Sequence, residues 1–434
     1  MRSVLFLIAA AILLHAQSDP DPVLVLDKAR TRLQALSQTL EKYVCVENVE
    51  RSYFQRVTPR ETPVRVESQS ACGSTAAQRR LESTDRVRLE VTLSDGRELH
   101  SWPGATRFDT RDVDELIRNG PVSTGSFGGY LAGVFDNPGV VFQFRKKLSQ
   151  DSKTFLEYSY SVPLQVSHFQ VKVAGNWRPV AYEGEFRIDP KSLDLEQLVV
   201  RTTEVPSEAP FCSAATTLEY RSTRIGDATI LLPSQSQLEI DLRSGEETRN
   251  TTTFSSCREY QAESEIVFES APEAASRTAP ATAGWARVPL PLGLPVTLAL
   301  TEPIDTNLAS AGDPVSAKVV KPIRRPGSNE QLIPAGAIVN GRIRRVEHHL
   351  LPTPYFRVVL AFNRLEMQGA VAPFFAHSDP NPDLARELGA NLAMRDTGIW
   401  FWGVGTFLFP SNKDHIVIPA GYESKWFTLS TGGR

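Results

Sequence analysis

The densest group of residues with chemical potential is the glycine-rich stretch from Thr124 to Gly129, which reads Thr-Gly-Ser-Phe-Gly-Gly. A serine nucleophile on a strand-to-helix turn needs the pattern G-x-S-x-G, but Thr124 stands where the first glycine belongs. A phosphate-binding loop needs a lysine after its last glycine, and none follows. The stretch therefore predicts a helix start at which backbones pack closely, with Ser126 as the capping residue, rather than a catalytic site.

One acidic segment has the spacing of a calcium site. Asp379, Asn381 and Asp383 place oxygen atoms at alternate positions, as the start of a calcium-binding loop does. Leu384 and Ala390 then stand where such a loop needs its glycine and its bidentate glutamate. The segment therefore predicts a solvated acidic loop without a metal.

Histidines cluster at His348, His349 and His377, but no cysteine, aspartate or glutamate completes a zinc spacing with them. Adjacent side chains on a strand point to opposite faces, so His348 and His349 are a poor chelating pair. We therefore predict no metal, no cofactor and no enzymatic activity. A secreted hydrolase is the alternative, if the fold brings His168 or His377 to a serine and a carboxylate.

Closely spaced aromatic side chains could line a ligand site, because a concave apolar surface is what an acyl chain or an apolar peptide buries against. The candidate lining residues are Phe127, Tyr130, Phe135, Phe142 and Phe144. A filled core is the alternative explanation for the same residues, and sequence does not distinguish a cavity from packing.

The first residues are typical of a signal peptide. Arg2 supplies a positive start, Val4 to Leu14 is an apolar run too short to span a bilayer, and Ala16 and Ser18 offer a cleavage site. No cysteine near the cut could carry a lipid, and no later apolar run approaches the ~20 residues of a membrane-spanning helix. We expect residues 1–18 to be removed and the soluble mature protein to be periplasmic or secreted, without spanning the membrane.

Length and charge limit the architecture and the partners. A chain of 434 residues is too long for one ordinary core and predicts two or three folding units. Its net charge of -3 and pI near 6.2 do not provide the basic field that phosphates attract, so we expect no nucleic-acid partner.

The four cysteines are an even number in an exported chain, which predicts disulfides rather than a metal site or a nucleophile. Four cysteines allow three pairings, and the sequence does not choose among them. The candidates all precede residue 258, so the rest of the chain must fold without disulfides: Cys45, Cys72, Cys212 and Cys257.

The chain after the signal peptide is predicted to be mainly β. Asp21 and Pro22 begin one amphipathic helix, because apolar residues then recur at steps of three and four. Long strands with period-two alternation follow, and the Asp95-Gly96 pair suits a tight hairpin turn. We expect residues 19–269 to form a long antiparallel sheet that curves into a half-barrel, with the helix packed on its concave side.

Residues 270–286 have linker composition, with alanine, proline, serine and threonine and no periodicity. Short, evenly spaced strands between glycine and proline turns follow them, which predicts a small closed β-barrel over residues 287–434. An insertion from Ser378 to Thr397 interrupts these strands and contains one short helix, at Leu384 to Leu388.

A helix followed by a long antiparallel meander resembles the bacterial lipoprotein-carrier fold of the LolA, LolB and RseB type, over roughly residues 20–269. The same region is similar to uncharacterised exported bacterial proteins in three motifs: Thr124 to Gly128, Tyr158 to Pro163 and Leu231 to Pro233. The resemblance implies a hydrophobic cavity that receives the acyl groups of a lipoprotein, or that senses an envelope lipid or peptide.

The second part of the chain resembles a small β-barrel module of exported bacterial proteins. The motifs are Gly312 to Val315, Ile333 to Gly336 and the repeat of the latter at Ile418 to Gly421. We therefore expect a non-enzymatic envelope protein whose half-barrel binds a lipid, a lipoprotein or an apolar peptide while the barrel contacts an envelope partner. A structural or assembly factor without a small ligand is the alternative.

Overall fold

A computed structural model describes most of the chain, and the statements that follow concern its described residues. The predicted signal peptide at 1–18 and linker at 270–286 lie outside them, so both stay predictions. The described residues are 20–57, 72, 78–109, 112–117, 120–122, 124–150, 153–260, 290–367, 370–390 and 403–429.

Four α-helices occur in these residues, and the longest confirms the predicted amphipathic helix. It begins at Pro22, and the Asp21 carboxylate accepts a hydrogen bond from the Val23 amide at 2.9 Å, as expected of a cap. None of the four is both long and apolar enough to cross a bilayer. The helices are α1 Pro22–Leu40, α2 Val113–Ile117, α3 Gly129–Phe135 and α4 Pro382–Glu387.

The first half of the chain consists mainly of antiparallel strands, as predicted. Asp95 and Gly96 both have positive φ in the tight hairpin turn between the second and third strands. The strands are β1 Tyr43–Arg56, β2 Arg79–Ser94, β3 Arg97–Ser101, β4 Val141–Gln150, β5 Lys153–Val162, β6 Gln170–Val173, β7 Asn176–Pro179, β8 Tyr182–Ile188, β9 Leu195–Thr202, β10 Phe211–Ile225, β11 Ala228–Leu242 and β12 Glu247–Glu259.

Ten of these strands form one antiparallel sheet with β4 and β3 at its two ends. Its order is β4-β5-β8-β9-β10-β11-β12-β1-β2-β3. Side chains alternate between an inner face, which packs against α1 and α3, and an outer face. The helix on a long antiparallel sheet is therefore confirmed.

The second half of the chain is also built from antiparallel strands around its own apolar cluster. Its strands are β13 Pro295–Leu300, β14 Ile304–Asp305, β15 Pro314–Val319, β16 Ile323–Arg324, β17 Gln331–Ile333, β18 Ile338–His349, β19 Tyr355–Met367, β20 Ala370–Pro373, β21 Ala376–His377, β22 Val404–Pro410, β23 Val417–Ile418 and β24 Glu423–Thr428.

The expected small closed barrel is wrong, because these strands belong to one large sheet that does not close as a continuous ladder. β21 has only two residues before the insertion at Ser378 begins. It meets β22 through a single bridge, in which Ser378 exchanges two hydrogen bonds of 3.1 Å with Val404 and Thr406. The division into two domains at residues 269 and 287 stays a prediction, since residues 261–289 are not described.

The two halves share this sheet through the pairing of β2 with β18. One row of charged side chains crosses the seam over β1, β2, β18 and β19, each opposite the next. In that order they are Arg51, Asp85, Glu347 and Arg357. The Arg51 guanidinium donates two hydrogen bonds, of 2.6 and 2.7 Å, to the Asp85 carboxylate. The Arg357 guanidinium lies 3.2 Å from the Glu347 carboxylate. Each buried carboxylate therefore has a guanidinium beside it.

Burial opposes the charge of Glu347, but His349, Arg357 and Arg345 outweigh it and lower its pKa to about 2. Glu347 thus stays ionised at neutral pH, directly opposite the Asp85 carboxylate. Asp85 can remain beside it because the Arg51 side chain, which is 1% exposed, balances its charge.

We expect Arg51→Met to destabilise the protein by about 3–5 kcal/mol, because it leaves Asp85 facing Glu347 without its guanidinium. The free energy of unfolding in urea, with disulfides intact, measures the effect. Arg32→Met is the matched control: Arg32 pairs with Asp194 at the surface, and its loss should cost less than about 1 kcal/mol. Equal losses from the two substitutions would contradict the role of the buried row.

The structure resolves the disulfide pairing that the sequence left open. Cys45 on β1 is bonded to Cys257 on the neighbouring β12, and Cys72 is bonded to Cys212. All four cysteines are thereby used in the first half of the chain. Disulfides are typical of exported proteins, because they form and persist in oxidising compartments.

Candidate functional site

The inner face of the half-barrel is the site that the sequence predicts, and in the described residues it is packed rather than hollow. α1 and α3 lie side by side on it. The Gln34 amide donates to the Phe135 carbonyl at 3.0 Å, and the Ser37 hydroxyl donates to the Asp136 carboxylate at 2.7 Å. These two hydrogen bonds fix α1 to α3, so the helices cover the inner face as one unit.

Aromatic rings of α3 and of the sheet form a connected network on one wall of the half-barrel, with ring centroids 5.1 to 6.3 Å apart. Such spacings are typical of stacked and edge-to-face pairs, which stabilise a core beyond simple burial. The network contains Tyr130, Phe135, Phe142, Phe144, Tyr158, Tyr160, Phe169, Tyr182 and Phe186.

The structure brings four of the five predicted lining residues into this network and separates the fifth. Phe135 stacks on Phe142, Tyr130 stacks on Phe169, and Phe144 meets the Tyr158 ring. Phe127 points elsewhere and contacts Phe254 on β12. Phe127, Tyr130 and Phe135 are buried, so their part in holding a ligand stays a prediction.

The aromatic network reaches the surface at one corner, which we call the rim and define by Val23, Leu24, Phe142 and Phe144. The side chain of Phe144 is 39% exposed on β4, at the end of the sheet. Val23 and Leu24, at the start of α1, are also exposed. The Tyr158 hydroxyl joins the two sides, because it donates to the Pro22 carbonyl at 2.8 Å while its ring contacts Phe144.

A groove of about 500 Å³ lies on the outer face of the same sheet, across β4, β5, β8 and β9. Charged residues dominate its lining, and ion pairs such as Arg187 with Glu157 and Arg201 with Glu185 cross it. Because its walls are polar, this groove is unsuited to an apolar chain. The lining is Arg145, Lys146, Glu157, Glu185, Phe186, Arg187, Gln197, Val199 and Arg201.

The glycine-rich stretch is an anion-binding turn, and its anion is a carboxylate of the protein itself. Glu98 on β3 accepts hydrogen bonds from the amides of Gly125, Phe127, Gly128 and Gly129, at 2.6, 2.7, 2.9 and 3.3 Å. Gly125 has a φ of +113°, a conformation that side chains other than glycine rarely adopt. This turn begins α3, so Glu98 anchors α3 to the sheet.

Ser126 does not cap α3, which corrects the sequence prediction. The cap position is Gly128, which provides no side chain, and Glu98 satisfies the free amides from another strand. The Ser126 hydroxyl instead lies 3.0 Å from the Ser236 hydroxyl on β11. The glycines therefore serve close backbone packing, as predicted, but around a carboxylate that local sequence does not reveal.

Next to Glu98 lies a buried acidic and basic pair that sequence reasoning missed. Nε2 of His100 is 3.3 Å from the Glu47 carboxylate, and both side chains are under 5% exposed. Burial opposes the charge of His100, but the Glu47 and Glu98 carboxylates outweigh it and raise its pKa. The sequence contained a signal for this pair, because Glu47 is a charged residue between the inward-facing Cys45 and Val49 on β1.

The segment with calcium-like spacing and His377 were the candidates for metal binding and for hydrolase chemistry. In the described part of the chain, no group of three or more potential ligands could hold a metal ion. Asn381, in the segment with calcium-like spacing, caps α4, which begins at Pro382 and not at Leu384 as expected. His377 lies 3.8 Å from Asp379, and its Nδ1 atom has no hydrogen-bond partner.

No protein-family model and no curated protein matches this sequence. Three solved structures are similar to it over about half of its length. A DUF1329 family protein from Desulfovibrio piger matches with a TM-score of 0.27 and 11% identity, over 55% of this chain and 93% of that chain. A structure described as an outer membrane lipoprotein-sorting protein domain, from Vibrio parahaemolyticus, matches with 0.27 and 9%, over the same shares.

The lipoprotein LppX of Mycobacterium tuberculosis matches with a TM-score of 0.16 and 11% identity, over 54% of this chain and 94% of that chain. At such scores the likeness carries no argument about function.

We expect Glu98→Ala to destabilise the protein by on the order of 3 kcal/mol, because it leaves the amides of the turn without an acceptor. Glu98→Gln should cost less, since the amide oxygen still accepts. Urea unfolding measures both. Glu196→Ala, at an exposed glutamate of β9, is the control and should be close to neutral. A neutral Glu98→Ala would show that Glu98 does not anchor α3.

Proposed function

We propose that this protein is a non-enzymatic binding protein of the cell envelope whose half-barrel accommodates one apolar chain. That chain is the acyl group of a lipid or lipoprotein, or an apolar peptide. The observation that carries the proposal is the aromatic network, which is continuous from the core to the exposed Phe144 at the rim.

The rim supports this proposal because it exposes apolar side chains of two elements. Val23 is 72% and Leu24 is 58% exposed at the start of α1, and the partly exposed Phe144 of β4 is linked to Pro22 through Tyr158. An acyl chain laid between α1 and β4 would cover these side chains and extend the apolar contacts of Phe142. Apolar burial of this kind is the main source of affinity for lipid-like ligands.

Deeper binding requires α1 and α3 to shift, because the sheet rings Tyr158 and Phe186 are fully buried beneath them. Such a shift would have to release the hydrogen bonds that tie each helix to the sheet, from the Tyr158 hydroxyl to Pro22 of α1 and from the turn before α3 to Glu98. A ligand chain could then replace helix side chains against the same rings. The rim is the entry point in this proposal, and the aromatic wall is the binding surface.

The two disulfides support an exported protein, and we propose the periplasm or the cell exterior as its place of action. A carrier of apolar chains is useful in such a compartment because acyl groups cannot cross water unprotected. Its partners would then be lipids, lipoproteins or other envelope proteins.

An assembly factor without a small ligand is the second candidate, and β4 favours it. In the described residues β4 pairs with β5 on one side alone, and most of its side chains are exposed. An open strand edge can pair with a strand of a partner protein. Isolation of a salt-resistant complex that contains no lipid would support this candidate over lipid binding.

The binding proposal is tested with the full chain exported to an oxidising compartment, purified, and titrated with a fluorescent long-chain fatty acid. Phe144→Ala should weaken binding by about tenfold, since burying a phenylalanine side chain contributes about 1.5–3 kcal/mol. Phe375→Ala is the matched control, because Phe375 is 37% exposed in the second half of the chain.

The control variant should bind like the wild type, and organic extraction of the wild-type protein should release a lipid detectable by mass spectrometry. Absence of both fatty-acid binding and extractable lipid would refute an acyl chain as the ligand. If Phe144→Ala leaves binding unchanged, the ligand does not bind at the rim.

A further inference from the structure

Glu47, His100 and Glu98 form a cluster on the inner face that we call the acidic triplet. Glu47 comes from β1, and His100 and Glu98 come from β3, on the far side of β2. Glu98 holds the turn at Gly125 to Gly129, while His100 contacts Glu47 at 3.3 Å. The triplet therefore connects two strands to the turn that begins α3.

A proton on the imidazole compensates the negative charge of the triplet. Burial raises the pKa of Glu98, and so does the Glu47 carboxylate, whereas His100 lowers it. The four amides of the turn favour an ionised Glu98. A protonated His100 supplies the single positive charge between Glu47 and Glu98, so removal of that proton leaves both carboxylates uncompensated.

The groups that face His100 from the surrounding elements are few. β1 contributes Glu47. β10 contributes Tyr220 on the side of Glu98, which together with burial raises the pKa of the Tyr220 hydroxyl. β2 contributes apolar side chains, with Val91 directly opposite His100.

We propose that His100 is a pH-sensitive latch that keeps the turn and α3 closed over the half-barrel when protonated and loosens them when neutral. The device goes beyond the proposed binding function, since it concerns access to the interior rather than the ligand. Mildly acidic surroundings would hold the interior closed, and neutral to alkaline surroundings would open it.

The raised pKa of His100 determines whether the latch loosens at high or at low pH. A histidine whose pKa in the folded state is raised above about 6.5 contributes stability that is complete below that pH. The contribution is lost as the pH rises through the folded value. The loss should fall on the turn and α3, because Glu98 is their anchor on the sheet.

Amide hydrogen exchange of the full disulfide-bonded chain at pH 5.5 and at pH 8 tests the latch, with rates expressed as protection factors so that intrinsic pH effects cancel. We expect protection over residues 124–135 to fall by about tenfold or more at the higher pH, because the loss of the buried positive charge weakens the hold of Glu98 on the turn. Protection in β5 should stay constant, because its hydrogen bonds do not involve the triplet.

His100→Gln should abolish this pH dependence, and His168→Gln, at an exposed histidine, should retain it. If His100→Gln does not fold, the protection factors of the wild type at the two pH values are the test of the latch. A protection factor over residues 124–135 that is equal at both pH values would overturn the latch, as would a His100→Gln variant with the wild-type response. Neither result depends on whether the protein binds an apolar chain.

Discussion

The structure of the first half depends on how the inner face of one curved sheet is covered. A sheet of ten strands exposes a large apolar surface there, and in this chain α1 and α3 bury it. α3 has only seven residues, too few to hold its position by its own stability. Its place is fixed by Glu98, which accepts four amide hydrogen bonds from the turn in front of it. The covering helices thus depend on one carboxylate from β3.

The same physical requirement appears again where the two halves meet. Asp85 and Glu347 are adjacent across the seam between β2 and β18, and both are buried. Two such carboxylates are tolerated because Arg51 and Arg357 complete the row on either side. Hydrogen bonds between strands are not specific to sequence, whereas this order of charges is satisfied in one register. The row therefore favours the observed register of β2 and β18.

Local patterns were enough to predict the helix at Pro22, the hairpin at Asp95 and Gly96 and the β-rich architecture. In each case the residues that set the structure are near one another in sequence. The pairing of Cys45 with Cys257, the seam between Asp85 and Glu347 and the contact of Glu98 with the glycine turn were not predictable in this way. Each joins residues far apart in the chain, so the tertiary fold decides it. The glycine turn shows the difference well, because its close packing was predicted but its anion was not.

The aromatic residues illustrate why the ligand site remained open at the sequence level. Spacing identifies a series of rings, but α1, which packs on them, comes from elsewhere in the chain. Phe135 and Phe142 meet as a stacked pair, while Phe127 turns towards β12. What remains accessible is the rim, where Phe144 is exposed beside the start of α1. The functional account thus depends on the passage from this rim to the buried rings.

Photolabelling with a long-chain fatty acid that carries a diazirine in its acyl chain tests this account most directly. The account predicts labelled peptides from the start of α1 and from β4 and β5, with labelling suppressed by excess unlabelled fatty acid. Labelling confined to the outer groove or to the second half of the chain would contradict it, and so would the absence of any label that unlabelled fatty acid displaces.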